Sequence, residues 1–181
     1  MTTATLNPSE TKNLDGYGDP PLEWSRVVGS LDGLATAQPN DPFGRYFMAT
    51  TNANGRPHVT GLGVVWFHHR FWFVTGARTV KGRNLARDPH CVISVAAAGL
   101  DIVAEGEAAI VRDQETLERV AQRYADSGWG PEVRDGAFWH EYNAPSAGPP
   151  PWDLYEVTVR TVYAVATEEP NGATRWRFAV T

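Results

Sequence analysis

Arg70-Phe-Trp-Phe-Val-Thr-Gly-Ala-Arg-Thr-Val-Lys-Gly-Arg-Asn-Leu-Ala-Arg-Asp-Pro89 is the stretch around which the rest of the chain arranges itself. Arg70 to Thr75 reads as an aromatic strand. Gly76 breaks it into a small, polar, basic turn, and a short helix follows around Gly82 to Asp88. Pro89 stops that helix, because proline disfavours helical geometry at the residue before it. A strand that feeds a polar turn and then a helix N-terminus gathers free backbone N–H groups, here with the hydroxyls of Thr75 and Thr79 and the ammonium of Lys81. That set suits an anion, a phosphate above all. The same residues also make an ordinary strand–turn–helix corner with solvated basic side chains, and the local pattern leaves both open.

Working outward, the strand pattern extends on both sides. Tyr46 to Thr51 runs into Asn52-Ala-Asn54-Gly55, whose Asn-Gly pair is a strong hairpin signal. Pro57 to Trp66 returns as a strand, turns near His68-His69 and leads into Arg70. Beyond Pro89, Cys91 to Ala97 and Asp101 to Arg112 are separated by too few residues for a crossover helix, which makes that pair antiparallel. Asp113 is placed to cap a second helix, with Leu117, Val120, Ala121 and Tyr124 on one face and Glu115, Glu118, Arg119 and Arg123 outside. The two glutamates suit the dipole of that helix without any further role. Leu154 to Ala166 and Ala173 to Val180 form a last hairpin.

At the front, residues 1–19 are polar and turn-rich, as a flexible tail would be. A helix is expected from Pro20-Pro21, with Leu22, Val27, Val28 and Leu31 as its apolar stripe. A loop is expected over residues 32–44. Residues 127–152 are irregular, with five prolines and the tryptophans Trp129, Trp139 and Trp152. A loop of that length in a compact domain is usually functional or interfacial. The count is about seven strands, mostly in hairpins, with two or three helices. That makes an antiparallel barrel or sandwich with helical decorations, an α+β domain over residues 20–181.

The 181 residues suit one domain with a real core. A net charge of −5 argues against nucleic acid as a partner, since phosphate-backbone binding needs a basic face. No apolar run approaches the length that spans a bilayer, and the N-terminus lacks an apolar signal core, so the cytoplasm is the expected location. Cys91 is the sole cysteine, which rules out a disulfide framework and a cysteine metal cluster. His68 and His69, adjacent on a turn, point apart and chelate poorly. His58 flanks the central turn, as a ligand contact or a structural histidine. His90 and His140 have no partner at useful spacing. Neither a nucleophile elbow, a dinucleotide fingerprint nor a Walker loop is present. An enzyme built this way would rely on a bound cofactor for its chemistry.

Read with Gly55-Arg-Pro-His-Val-Thr60 and Ala173-Thr-Arg-Trp-Arg-Phe178, the central stretch resembles the pyridoxamine 5′-phosphate oxidase-like family of flavin-binding split barrels. Within it, the actinobacterial branch that includes deazaflavin (coenzyme F-420) reductases is the most similar. The resemblance covers residues 43–112 well and the C-terminal hairpin moderately, and leaves out residues 1–20 and 128–152. It implies a mainly antiparallel six- to eight-stranded split β-barrel of α+β class, with two or three peripheral helices. It also implies a homodimer with two cofactor sites in clefts between subunits, taking FMN or coenzyme F-420 and a small-molecule substrate. By the same resemblance the cofactor ring lies against His58, Val59, Thr60 and Gly61. The phosphate sits at Thr75, Thr79 and Lys81, with Val74, Val80 and Asn84 alongside. Asp101 begins the next strand close to the ring. Arg175, Trp176 and Arg177 reach a cofactor, often the partner subunit's.

Two departures stand out. The oxidases carry an arginine immediately before the motif lysine, where this chain has Val80. Losing that charge-assisted bond costs about 1.5–3 kcal/mol of binding unless Arg78 or Arg83 substitutes. The Tyr, Arg and Ser set with which the oxidases read their pyridoxal substrate has no counterpart in Ala137-Phe-Trp-His-Glu-Tyr-Asn-Ala-Pro-Ser146, so vitamin B6 oxidation is not expected. The resulting expectation is an FMN- or deazaflavin-dependent oxidoreductase that moves hydride to or from a small organic molecule. Its rivals are a non-catalytic flavin or haem carrier and a barrel that has lost its ligand and serves as a dimeric scaffold.

Overall fold

A computed structural model of the chain describes residues 6–37, 46–142 and 146–179. Among them are eleven strands and three helices. The strands are β1 (Glu10–Asn13), β2 (Tyr46–Thr51), β3 (Pro57–Leu62), β4 (Val64–Phe67), β5 (Arg70–Thr75), β6 (His90–Ala97), β7 (Leu100–Ile110), β8 (Glu132–Arg134), β9 (Ala137–Trp139), β10 (Asp153–Ala166) and β11 (Ala173–Arg177). The helices are α1 (Trp24–Ala37), α2 (Val80–Arg87) and α3 (Gln114–Asp126). Nine strands form one sheet in the order β1-β11-β10-β7-β6-β2-β3, with β5 also on β10 and β4 on β5, all pairs antiparallel. The fold is an α+β split barrel of the expected class, enlarged at its edge by β1.

The long strand β10 joins the two halves. Its first residues pair with β5 (Asp153 opposite Thr75), its last with β11 (Val165 opposite Ala173), and it follows β7 along nearly its whole length. The register shifts between Val159 and Thr161, and just before this bulge β7 comes very close. A methyl group on Gly106 would lie 2.4 Å from the Thr158 carbonyl oxygen, so only glycine fits there.

Alternation sorts the strand residues into two faces. Tyr46, Met48, Ile93, Val95, Ile102, Ala104, Phe71, Phe73, Val157 and Val162 turn inward and join Val27 and Leu31 of α1 in the main core. A second core lies on the opposite face of β4, β5 and β10. There Val65, Trp72 and Leu154 pack against Leu117, Val120, Ala121 and Tyr124 of α3 and against Trp129, Phe138 and Trp152. The proline-rich stretch after α3 is therefore anchored by its aromatic side chains, with β8 and β9 as a small hairpin within it.

Several local readings differ from the structure. Glu10–Asn13, within the tail expected over residues 1–19, pair with β11. All four are exposed, so no apolar periodicity marks them, and backbone bonds define the strand. Helix α1 begins at Trp24 rather than at the prolines, because the Leu22 N–H is taken by Thr174 Oγ1 at 2.7 Å. It continues to Ala37 through part of the loop expected over residues 32–44, whose remainder lies outside the described residues. The single strand expected over residues 57–66 is two, divided at Gly63. The last strand ends at Arg177, and Val180 lies outside the described residues. The Asp113 cap stands as expected, its carboxylate accepting from Thr116 N–H at 2.9 Å.

Candidate functional site

Strand β5 ends at Thr75, and the chain turns through Gly76 into α2 as the sequence predicts. Thr79 is the N-cap of α2, in extended conformation, and its Oγ1 accepts from Gly82 N–H at 3.0 Å. The Thr75 and Thr79 hydroxyl oxygens are 2.9 Å apart, and Thr79 Oγ1 also donates to the Gly76 carbonyl at 2.8 Å. Thr75 and Lys81 are both buried. The Lys81 ammonium donates to the carbonyl of Ser146, and burial pushes it down to about 8. Among the described residues no carboxylate pairs with it. A buried cation, two hydroxyls and a helix N-terminus are thus brought to one corner, with the donor chemistry of a phosphate site.

Val80, where the oxidases carry arginine, is exposed at the first position of α2. Arg83 folds back onto the carbonyl of Arg78, which keeps a guanidinium beside the turn. Asp153 stands opposite Thr75, but its carboxylate is paired with Arg112 at 2.8 Å, which offsets its repulsion of an anion. Asn84 is buried and donates to Thr50 Oγ1 at 3.0 Å and to Asn52 Oδ1 at 3.1 Å. It ties α2 to β2 and its hairpin loop, and so places the corner beside the start of β3, where His58 faces Thr50. Val74 turns to the second core.

The corner is also covered. Gly76 N–H donates to the Ala147 carbonyl at 2.9 Å, and residues 147–151 line a cavity of about 340 Å³ together with Gly76, Ala77, Arg78 and Thr79.

On β3, Val59 is 60% exposed, Gly61 is exposed, and His58 and Thr60 are half-buried. Val59 lies across from Ala49, and Gly61 across from Phe47, which is 51% exposed. The same face continues through Val92, Ser94, Val103, Tyr163 and Val165. It is a largely apolar sheet surface with β3 at its rim, and the exposed Asp101 and Glu105 lie on it opposite Val165 and Val92.

Asp101 and the C-terminal set stand elsewhere within one chain. Asp101 faces Val165 on β10, twelve positions beyond Asp153 and the phosphate corner, up to about 40 Å along the strand. Arg175 faces Tyr163. Trp176 is not a cover for a flat ligand in this chain. It is 1% exposed and packs against Trp24 at 5.5 Å between ring centroids, because alternation turns it into the core when Arg175 and Arg177 turn out. Those two arginines are engaged by Glu10 of β1, at 2.5 Å and 3.4 Å. The hydrogen bond from Arg175, with both guanidiniums nearby, holds the Glu10 carboxyl below its usual range. The strand that carries Glu10 has no signature in the sequence, because a fully exposed edge strand leaves no hydrophobic signal.

His68 and His69 are turn residues, both with positive φ in a two-residue hairpin connection. His90 sits 2.6 Å from Asp88. Among the described residues no cluster of His, Cys, Asp and Glu is suited to a metal, and no helix is long and apolar enough to cross a membrane. Trp139, in the region expected to lack a substrate-reading set, is covered by the Arg134 guanidinium 3.9 Å from its ring centroid, and Phe138 is core.

Comparison with known proteins adds three findings. The family model described as pyridoxamine 5′-phosphate oxidase matches residues 42–166. No curated protein sequence matches the chain. Among solved structures, the conserved hypothetical protein Rv2991 from Mycobacterium tuberculosis is similar with a TM-score of 0.58 at 17% identity, covering 84% of this chain and 89% of that one. A pyridoxamine 5′-phosphate oxidase-related, FMN-binding protein from Nostoc punctiforme gives 0.52 at 20% identity, with 84% and 87% covered. A nimC/nimA family protein from Clostridium acetobutylicum gives 0.55 at 16%, with 82% and 91% covered. At these identities the structures speak for a common fold.

Proposed function

Because the chain belongs to the pyridoxamine 5′-phosphate oxidase family, we propose that it is an oxidoreductase that binds FMN or coenzyme F-420 as a homodimer. The observation that carries this reading is the buried Lys81 ammonium beside the Thr75–Thr79 hydroxyl pair at the N-terminus of α2. A flavin or deazaflavin, when bound, supplies hydride transfer to or from a small organic substrate. The chain's own residues hold and orient it. Lys81, Thr75 and Thr79 take the phosphate, with Arg78 or Arg83 in place of the charge that Val80 does not provide. The β3 backbone from His58 to Gly61 faces the ring.

The dimer draws support from the exposed apolar face around Phe47, Val59 and Val165, since patches of this kind mark interaction sites. It is also the arrangement in which Asp101 and the Arg175–Arg177 segment of one copy can approach the corner of another. Pyridoxamine 5′-phosphate itself is not the proposed substrate, because residues 137–146 do not reproduce the Tyr, Arg and Ser set with which the oxidases read it. Of their side chains, Phe138 is committed to the core and Trp139 is covered by Arg134.

A second reading, a ligand-free dimeric scaffold, is favoured by the contact of residues 146 and 147 with the corner. The absorption spectrum of the purified protein and titrations with FMN and coenzyme F-420 separate the two. A protein that is colourless and binds neither cofactor refutes the oxidoreductase reading. Lys81→Ala is expected to weaken cofactor binding about tenfold to a hundredfold. Unchanged affinity would move the phosphate elsewhere.

A further inference from the structure

What covers the anion corner is itself informative. Lys81 Nζ donates to the Ser146 carbonyl, and Gly76 N–H to the Ala147 carbonyl at 2.9 Å. A methyl group built on Gly76 would stand 2.9 Å from the Ala147 oxygen, 3.6 Å from that of Pro149 and 3.9 Å from that of Pro151. The Ala147 carbonyl thus presses on Gly76, those of Pro149 and Pro151 lie at ordinary contact distance, and the Ser146 carbonyl holds Lys81. A carbonyl oxygen is a neutral acceptor with a partial negative charge, so each does in part what a phosphate oxygen does in full. A charged acceptor makes the stronger hydrogen bond to an ammonium or amide.

The segment is fastened at Trp152. Trp152 is wholly buried, exchanges two backbone hydrogen bonds with Phe138 at 2.8 Å each, and donates from Nε1 to the Gly148 carbonyl at 2.9 Å. Upstream of it, Pro149 and Pro151 are exposed, Ser146, Gly148 and Pro150 are half-buried, and the small side chain of Ala147 is buried at the edge of the second core. Prolines 149–151 have no N–H to give. The grip on the corner therefore consists of two hydrogen bonds that an anion would take over, together with the burial of one methyl group, that of Ala147. The cavity of about 340 Å³ between turn and segment opens beside Arg78.

We propose that residues 146–151 are an internal competitor, a strap that closes the anion corner with its carbonyls and is displaced by a phosphate-bearing ligand. The proposal rests on the flavin-binding reading and adds its regulation. Apparent affinity is reduced by the fraction of molecules whose strap is open, so loosening the strap raises affinity without adding a contact.

Two variants test it. Gly76→Ala drives a methyl group into the Ala147 carbonyl and expels the strap. Pro149→Gly with Pro151→Gly gives the strap backbone more freedom to leave. FMN is titrated by fluorescence, inorganic phosphate serves as a competing probe, and hydrogen exchange is followed at residues 146–148. Wild-type protein is expected to bind FMN with faster exchange at the strap on saturation, and both variants are expected to bind at least about tenfold tighter. Should Gly76→Ala fail to fold, the proline variant decides alone. Binding by the variants but not by the wild type also supports the strap. Wild-type binding as tight as the variants', with strap exchange unchanged, overturns it and leaves the flavin reading standing. If none of the proteins binds FMN, coenzyme F-420 or phosphate, both fall.

Discussion

Lys81→Met isolates the consequence of burying an ammonium under the strap. Lys81 is 2% exposed, and burial lowers it from an ordinary 10.5 to about 8. Between those values the unfolded chain holds a proton that the native protein has released. Stability therefore rises with pH through this window. Carrying the two values through the linkage relation gives a gain of about 2 kcal/mol from about pH 7 to about pH 9.5. Methionine keeps the length and apolar stem of the side chain but has nothing to titrate. It leaves the Ser146 carbonyl without its donor, a pH-independent cost of about 1–3 kcal/mol. Urea unfolding of both proteins across that pH range, followed by tryptophan fluorescence, reads the difference directly, because other groups titrate alike in the two. The wild type is expected to gain on the variant by about 2 kcal/mol as pH rises. A difference that stays flat would show that Lys81 is solvated and that the corner is not closed as described. Saturating phosphate supplies a counter-charge, raises the lysine again and should flatten the wild-type slope.

Three further outcomes are open to measurement. Gly106→Ala pushes a methyl group to 2.4 Å from the Thr158 carbonyl oxygen, and a loss of about 1–3 kcal/mol in chemical denaturation is expected; an unaffected midpoint would deny the close approach of β7 and β10. Asn84→Ala removes two donors that join α2 to Thr50 and Asn52, and should cost about 1–3 kcal/mol and weaken cofactor binding as well. Stability lost with affinity unchanged would mean that α2 needs no such tether. Phe47→Glu places a charge in the exposed apolar face and should leave a folded monomer in sedimentation, whereas an undiminished dimer would place the interface elsewhere.

The legible parts of this chain are those where one physical signal dominates. The aromatic run and glycine break of β5 and the proline stop after α2 read correctly because a strand, a turn and a helix end each demand particular residues. Asp113 and the Asn54-Gly55 loop are similar cases. The Arg-Trp-Arg alternation was legible too, but alternation does not say which face is the interior, and Trp176 proved to be core. Thr79 was not recognised as the cap, which starts the helix at Val80 instead of around Gly82. β1 was opaque because it has no buried side chain. The strap was opaque for another reason. Its contacts are made by backbone carbonyls, which every residue possesses, so no side chain in residues 146–151 announces that they seat on Gly76 and Lys81. Of the candidate site, the sequence revealed the corner and its donors but not the cover over them.

The placement of β10 has a consequence for the chain during its synthesis. β5 and β7 both find a neighbour in β10, which begins only at Asp153. When Ile110 has left the ribosome, two hairpins, β4–β5 and β6–β7, can already have formed, each with a bare edge waiting. At roughly 5–20 residues per second, several seconds pass before Ala166 follows and both edges can be zipped against one strand. Exposed edges of this sort invite pairing with other chains. A fragment that stops before Asp153 keeps both edges open for good, and should come out of expression insoluble rather than as a smaller barrel.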